Sequence, residues 1–188
     1  MAAIKELKNT IVIENKHAEI TLSKKTSLVE KVIDKKTKKD IRGEETKFFN
    51  FLSREKEVVA EVTNLSLKDD ILTVETTKGA FDIKALAFDN YFSFEVVSKM
   101  PEGIYQMHLA HVKYDYDYID KKNTGAVIIP LTIWADPVHY PDAKPRETYS
   151  RVLPHLGDVE AKIALIIAPI IEQGNIIKEA SLTSSHFS

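Results

Sequence analysis

Hydrophobic and polar residues alternate over short segments along almost the whole chain. Alternation with a period of two is typical of β-strands that bury one face. Short polar stretches at 15–17, 68–70, 78–79 and 89–90 separate the segments and indicate turns. The strands predicted in this way are 11–14, 18–22, 28–33, 48–52, 57–67, 71–77, 80–88, 91–97, 104–112, 126–134 and 160–168. About one strand every ten residues predicts a mainly β chain, folded as one large antiparallel β-sandwich.

The pattern departs from simple alternation at three places. It fails around Asn64, where we expect a bulge or bend. Pro130 interrupts the apolar segment 126–134 and indicates a bulge or an edge strand there, because proline has no N–H for a sheet ladder. The lysine-rich stretch 34–40 is predicted to be a solvated turn, and a docking patch for a partner is the alternative.

The alternating pattern is replaced by other patterns in much of the last third of the chain. Segment 136–158 contains four prolines among aromatic residues, and we predict a long irregular excursion that packs on the sheets. Pro169 and the apolar spacing after it predict a C-terminal helix over 169–180. Gly174 costs this helix about 1 kcal/mol relative to alanine, so the helix is expected to depend on packing against the sandwich. We predict a single domain over 1–188.

Composition excludes several classes of protein. With 44% hydrophobic residues the chain can bury a core and is not expected to be disordered. Its net charge of −2 provides no general field for binding nucleic acid. The absence of cysteine excludes disulfides and thiolate chemistry. The apolar stretch 161–171 is too short to cross a membrane, so no membrane span is predicted.

Tyrosine and aspartate alternate in the segment from Tyr114 to Tyr118. On a strand, Tyr114, Tyr116 and Tyr118 would share one face, and the two aspartates would share the other. Such a row of rings could bind the C–H face of a sugar. It could also cover an exposed sheet, and the sequence leaves both interpretations open.

Histidines and one further aromatic cluster complete the candidate residues. His108 and His111 are three positions apart, which places them on opposite faces of a strand, so no metal site is predicted. His108 is either a core histidine with a satisfied hydrogen bond or a residue that faces a sugar. Trp134, His139 and Tyr140 belong either to a binding loop or to an anchor for the excursion. The chain has no glycine-rich nucleotide motif and no nucleophile elbow, and we predict no cofactor.

Two parts of the chain resemble a known family. The sequence Ile-Val-Ile-Glu-Asn at 11–15, followed by Ile-Thr-Leu at 20–22 and by the segment 28–40 with its Asp-Lys-Lys-Thr turn, resembles the start of a β-sandwich module. These modules precede catalytic barrels in bacterial polysaccharide-degrading enzymes and belong to the galactose-mutarotase-like supersandwich group. The segment 161–183 resembles the exit from such a module.

The resemblance implies a non-catalytic, N-terminal module of a bacterial glycoside hydrolase or a related enzyme. It implies that the chain is a fragment of a longer protein, secreted or periplasmic, whose signal peptide is absent here. The expected partners are a downstream catalytic domain of the same polypeptide and carbohydrate. The candidate carbohydrate-binding residues are Trp134, Tyr114, Tyr116, Tyr118, His108, His139 and Tyr140.

Other functions are compatible with the same sequence. Mutarotases of this group use histidines and a glutamate base in surroundings that this sequence does not match, so we assign no catalytic residue. The alternatives are a stand-alone mutarotase-like epimerase or lyase, and a structural or adhesive sandwich without a ligand.

Overall fold

Strands make up most of the folded chain, as the alternation predicts. A computed structural model describes residues 1–115, 124–132, 135–139, 146–154 and 161–185. The elements in this part of the chain are β1 (Ala3–Glu6), β2 (Thr10–Glu14), β3 (Ala18–Ser23), β4 (Val29–Asp34), β5 (Lys39–Asp40), β6 (Phe49–Leu52), β7 (Val58–Ala60), β8 (Val62–Lys68), β9 (Ile71–Thr76), β10 (Gly79–Ala87), β11 (Phe92–Val96), β12 (Gln106–Tyr114), β13 (Thr124–Pro130), β14 (Ala135–His139), β15 (Arg146–Val152), β16 (Lys162–Pro169) and α1 (Ile170–Ser185).

The strands form three antiparallel sheets. A first sheet has the order β1-β2-β3-β4-β5, a six-stranded sheet has the order β13-β16-β11-β10-β9-β8, and a third sheet has the order β14-β15-β12-β6-β7. Bridges from Leu28 to Lys47 and from Arg42 to Tyr114 join the first sheet to the third. The protein is therefore a mainly β, antiparallel sandwich with one C-terminal helix, as predicted.

One hydrophobic core is shared by all three sheets. It includes Ile11 and Ile20 from the first sheet, Phe92 from the six-stranded sheet and Leu109 from the third. Each of these side chains is fully buried. Because the third sheet buries its apolar residues in this core, its other face carries the polar residues of β6, β12 and β15.

The helix α1 lies on the outside of the six-stranded sheet. Ile176 and Ala180 are buried in a second cluster with Tyr91 and with alternate residues of β16. The apolar spacing after Pro169 does not mark one buried face, since Ile170 and Ile171 are 51% and 89% exposed. The helix also extends to Ser185, beyond the predicted end. In the described part of the chain, no helix has the length and apolar composition needed to span a membrane.

Several predicted details are confirmed. The register between β8 and β9 shifts between Val62 and Asn64, so the expected bulge is present. Pro130 is the last residue of β13, which lies at the edge of its sheet. Of the turn predicted over 34–40, residues 35–38 form a turn, whereas Asp34 ends β4 and Lys39–Asp40 form β5. The single predicted strand 57–67 is two strands, β7 and β8, which belong to different sheets.

The predicted irregular excursion over 136–158 is wrong for much of its length. Its described residues include β14 and β15, which pair with each other and add two strands to the third sheet. Proline does not prevent a strand here, because Pro137 lies in β14 at the edge of the sheet, where a missing N–H is tolerated. The buried residues of β15 include Thr148 and Ser150, which are polar. The strand therefore lacks the alternation of apolar and polar residues from which the other strands were predicted.

Candidate functional site

A bulge in β12 organises the outer face of the third sheet. On β12, Leu109 pairs with Ser150 and Val112 pairs with Thr148, which leaves Ala110 and His111 together opposite one residue of β15. Ala110 has a φ of 56°, in the left-handed region that alanine seldom occupies. A bulge of this kind reverses the alternation of the residues that follow it.

The bulge brings the two histidines to the same face, so the predicted placement on opposite faces is wrong. The rings of His108 and His111 lie 5.9 Å apart between centroids. The residue opposite the bulge is Tyr149, whose ring stacks on that of His108 at 4.1 Å with an interplanar angle of 24°. The same tyrosine ring lies 5.0 Å from the His111 ring. We call His108, His111 and Tyr149 the ring cluster.

Hydrogen bonds fix the orientation of His111. The side-chain amide of Asn50 on β6 donates to Nδ1 at 3.0 Å, so we place the ring proton on Nε2. This Nε2–H donates to a carboxylate oxygen of Glu147 at 2.6 Å. Burial lowers the pKa of His111, and the hydrogen bond to Glu147 acts in the opposite direction.

His108 is held as a neutral ring. The amide nitrogen of Gln106 lies 2.6 Å from its Nε2 and donates to it, which leaves the ring proton on Nδ1. Burial, followed by electrostatic interactions with His111, Arg151 and Lys56, lowers the pKa of His108 to about 4. At neutral pH the ring therefore offers a neutral aromatic surface and no charge.

A groove lies beside the ring cluster, between β12, β6, β7 and the segment before β6. Its volume is about 260 Å³. His111 and Asn50 belong to its lining, as does Val58, which is 59% exposed. The lining residues are Leu28, Glu45, Thr46, Lys47, Phe49, Asn50, Val58, Ala60, Glu61, His111 and Lys113.

Charged groups around the groove are largely paired. Lys47 forms an ion pair with Glu61, and Lys113 forms one with Glu44 at 3.2 Å. Glu45 supplies a further carboxylate. The groove thus offers hydrogen-bonding groups without an excess of positive charge. Among the described residues, no group of three or more metal-ligating side chains is placed to hold a metal ion.

The residues predicted to bind sugar lie in different environments in the structure. Tyr114 is 2% exposed, and its hydroxyl lies 3.1 Å from that of Thr148 inside the sandwich, where burial raises its pKa. A ligand at the surface cannot reach this ring, and the ring belongs to the hydrophobic core rather than covering an exposed sheet. His108 lies in the ring cluster. His139 ends β14 opposite Thr148 in the register.

The remaining predicted residues, Tyr116, Tyr118, Trp134 and Tyr140, lie outside the described residues.

The sequence did not identify three residues on the outer face of the third sheet. These are Tyr149, Asn50 and His111, the last in its role as a partner of His108. The alternation Glu147, Tyr149, Arg151 is a period-two signal that could have identified the outward face of β15. Nothing in the local sequence marks Asn50, because its role depends on a strand that is 61 positions away.

Comparison of the chain with models of protein families and with curated proteins gave no match.

Proposed function

We propose that this chain is a non-catalytic β-sandwich module that binds carbohydrate at the ring cluster of its third sheet. The observation that carries the proposal is the stack of His108 on Tyr149, at 4.1 Å, on the outer face of the sheet. The resemblance of residues 11–40 to modules of polysaccharide-degrading enzymes supports the same class of ligand.

The chemistry of the ring cluster suits a sugar. Aromatic faces attract the C–H groups of a pyranose, and neighbouring amides and carboxylates hydrogen-bond its hydroxyls. Gln106, Asn50 and Glu147 supply these groups within hydrogen-bond distance of the two imidazoles. Because both imidazoles have lowered pKa values, the two rings stay neutral near pH 7.

Affinity electrophoresis of the isolated chain tests the proposal. Native gels that contain xylan, galactomannan, pectic galactan or hydroxyethyl cellulose should retard the wild-type protein in at least one case. Tyr149→Ala should migrate without retardation, whereas Tyr149→Phe should still be retarded, because the phenyl ring preserves the stack. Lys84→Gln, on the six-stranded sheet, is the control for an altered surface charge.

Two results would contradict the assignment. One is wild-type migration that no polysaccharide alters, and the other is undiminished retardation of Tyr149→Ala. Circular dichroism of each variant separates loss of binding from loss of folding. Trp134→Ala and Tyr116→Ala in the same gels test the sequence-based candidates outside the described residues.

The resemblance supplies a second part of the proposal, that the module accompanies a catalytic domain on the same polypeptide. Its test is the reading frame that encodes the chain. A frame that continues past Ser188 into the sequence of a polysaccharide-degrading enzyme supports this arrangement, and a stop codon directly after Ser188 contradicts it.

One observation favours a second candidate, a sugar epimerase of the mutarotase type. His111 and Glu147 are hydrogen-bonded at 2.6 Å, and a second histidine lies beside them, which is a combination that can transfer protons. Polarimetry of freshly dissolved α-D-galactose and α-D-glucose decides between the candidates. A binding module leaves the rate of mutarotation at the buffer value, whereas an epimerase accelerates it and loses that acceleration in Glu147→Gln.

A further inference from the structure

The groove and the ring cluster share a wall. His111 lines the groove and also contacts Tyr149, and Asn50 lines the groove while its amide donates to His111. His108 and Tyr149 themselves do not line the groove. The two features are therefore adjacent but distinct places on one surface.

We propose that the groove is a second sugar-binding subsite, and that the ligand is an uncharged oligosaccharide running across the strands from the groove to the His108–Tyr149 stack. This inference rests on the proposed function and specifies its ligand. It requires at least two linked sugar units, one in the groove and one on the rings.

Size supports a ligand that extends beyond the groove. The volume of about 260 Å³ lies below the roughly 300 to 1,000 Å³ of pockets that enclose a drug-sized molecule. The path from β7 through β6 and β12 to β15 crosses three strand spacings, or about 14 Å. A single pyranose ring cannot span this path, whereas a short chain of sugars can.

The groove also has the polarity that a sugar ring requires. Val58 and Ala60 contribute apolar surface to the lining, and Thr46 and Asn50 contribute hydrogen-bonding groups. Lysines and glutamates are equal in number in the lining, and the ion pairs of Lys47 and Lys113 leave little positive field to attract an acidic sugar. Neutral sugars are therefore the expected class.

The test is a series of ligand lengths measured by isothermal titration calorimetry. The ligands are the monosaccharide, disaccharide, trisaccharide and hexasaccharide prepared from the polysaccharide that retards the protein most strongly in gels. We expect the affinity to rise at least tenfold from the monosaccharide to the trisaccharide. Equal affinities for the two would overturn the second subsite.

A variant isolates the groove. Val58→Arg places a long charged side chain in the groove and should weaken trisaccharide binding at least tenfold, while monosaccharide binding on the rings changes less than twofold. Val97→Arg is the matched control, because Val97 is also an exposed valine (40%) and does not line the groove. Unchanged trisaccharide affinity in a folded Val58→Arg variant would overturn the inference.

Different outcomes separate the two proposals. If no ligand of any length binds, the proposed function fails together with the subsite. If binding requires Tyr149 but is the same for all lengths and in Val58→Arg, only the subsite fails. Tighter binding of an oligosaccharide that contains uronic acid than of its neutral counterpart would overturn the assignment to uncharged sugars.

Discussion

The Asn50 side chain on β6 donates a hydrogen bond to Nδ1 of His111, 3.0 Å away on β12. This bond, together with the contact of Nε2 with Glu147, selects one neutral tautomer of the ring. The pKa of His111 should therefore depend on the side chain at position 50.

Asn50→Asp should raise the pKa of His111. A carboxylate cannot donate to Nδ1, so the ring would carry protons on both nitrogens, one facing Asp and one facing Glu147. NMR titration of the imidazole in both proteins measures the change. Asn50→Ala is the control, because it removes the hydrogen bond without adding a charge. A pKa that is equal or lower in Asn50→Asp would show that the tautomer is assigned wrongly.

Ala110 should tolerate glycine and reject valine. The left-handed backbone at φ 56° costs alanine about 1–2 kcal/mol, and glycine relieves this cost. The gain is offset by about 0.8 kcal/mol for the lost buried methyl group and by about 0.5–1 kcal/mol of backbone entropy. We expect Ala110→Gly to lie within about 1 kcal/mol of the wild type in chemical denaturation. Ala110→Val should lose at least about 2 kcal/mol and should disturb the ring cluster.

Ala85 provides the matched comparison for this prediction. It is a buried alanine of β10 without a positive φ. Here glycine relieves no strain, so Ala85→Gly should destabilise the protein by roughly 1–2 kcal/mol. If the two glycine variants were destabilised equally, the strained bulge at Ala110 would be contradicted.

Stability should fall as the pH decreases from about 6.5 towards 4. The pKa of His108 is lowered from 6.5 to about 4 on folding, so the unfolded chain binds the proton more strongly between these values. Protonation in this window therefore favours unfolding, and His111, whose pKa is also lowered, acts in the same direction. His108→Gln should flatten the dependence of the unfolding free energy on pH in this range. An unchanged slope in that variant would contradict the assignment.

A second loss of stability should follow at lower pH. Hydrogen bonds from Lys35 and Lys5 lower the pKa of Glu14 from 4.5 to about 2. The stabilisation that these bonds give the folded state is fully present above pH 4.5 and is lost as the pH falls towards 2. Glu14→Gln, measured by denaturation between pH 2 and 5, should show a weaker pH dependence than the wild type. The same slope in both proteins would exclude Glu14 as its source.

Tyr114→Phe should change stability and leave carbohydrate binding unaltered. The Tyr114 hydroxyl is buried against Thr148, and its removal leaves a buried hydroxyl without this partner, which costs about 1–3 kcal/mol. Chemical denaturation and affinity gels of Tyr114→Phe measure the two effects separately. Thr148→Val completes a double-mutant cycle, in which a coupling energy near zero would show that the two hydroxyls do not interact.

The two isoleucines of α1 should differ sharply in their contribution to stability. Ile176 is 3% exposed and packs with Tyr91, whereas Ile171 is 89% exposed. Ile176→Ala should destabilise the protein by about 2–5 kcal/mol, as expected for a buried isoleucine, and Ile171→Ala should be close to neutral. Comparable losses in thermal or chemical denaturation would contradict the observed orientation of the helix.

Local sequence patterns were sufficient to predict most of the architecture. Alternation depends on which face of a strand is buried, and this signal is contained in neighbouring residues, as in the strands that became β2, β3, β9 and β10. The bulge near Asn64 was also predicted, because it interrupts an otherwise clear period. The helix was located by Pro169, but its buried face was not, since that face depends on where the helix lies on β16.

The candidate site was decided by tertiary structure. By itself, the spacing of His108 and His111 indicates opposite faces, and only the left-handed Ala110 turns both towards Tyr149. That conformation carries no sequence signal here, because alanine does not favour a positive φ as glycine does. Asn50 and Glu147 reach His111 from strands far away in the chain. The sequence determined that the chain builds sheets, and long-range pairing decided which polar side chains meet on their outer face.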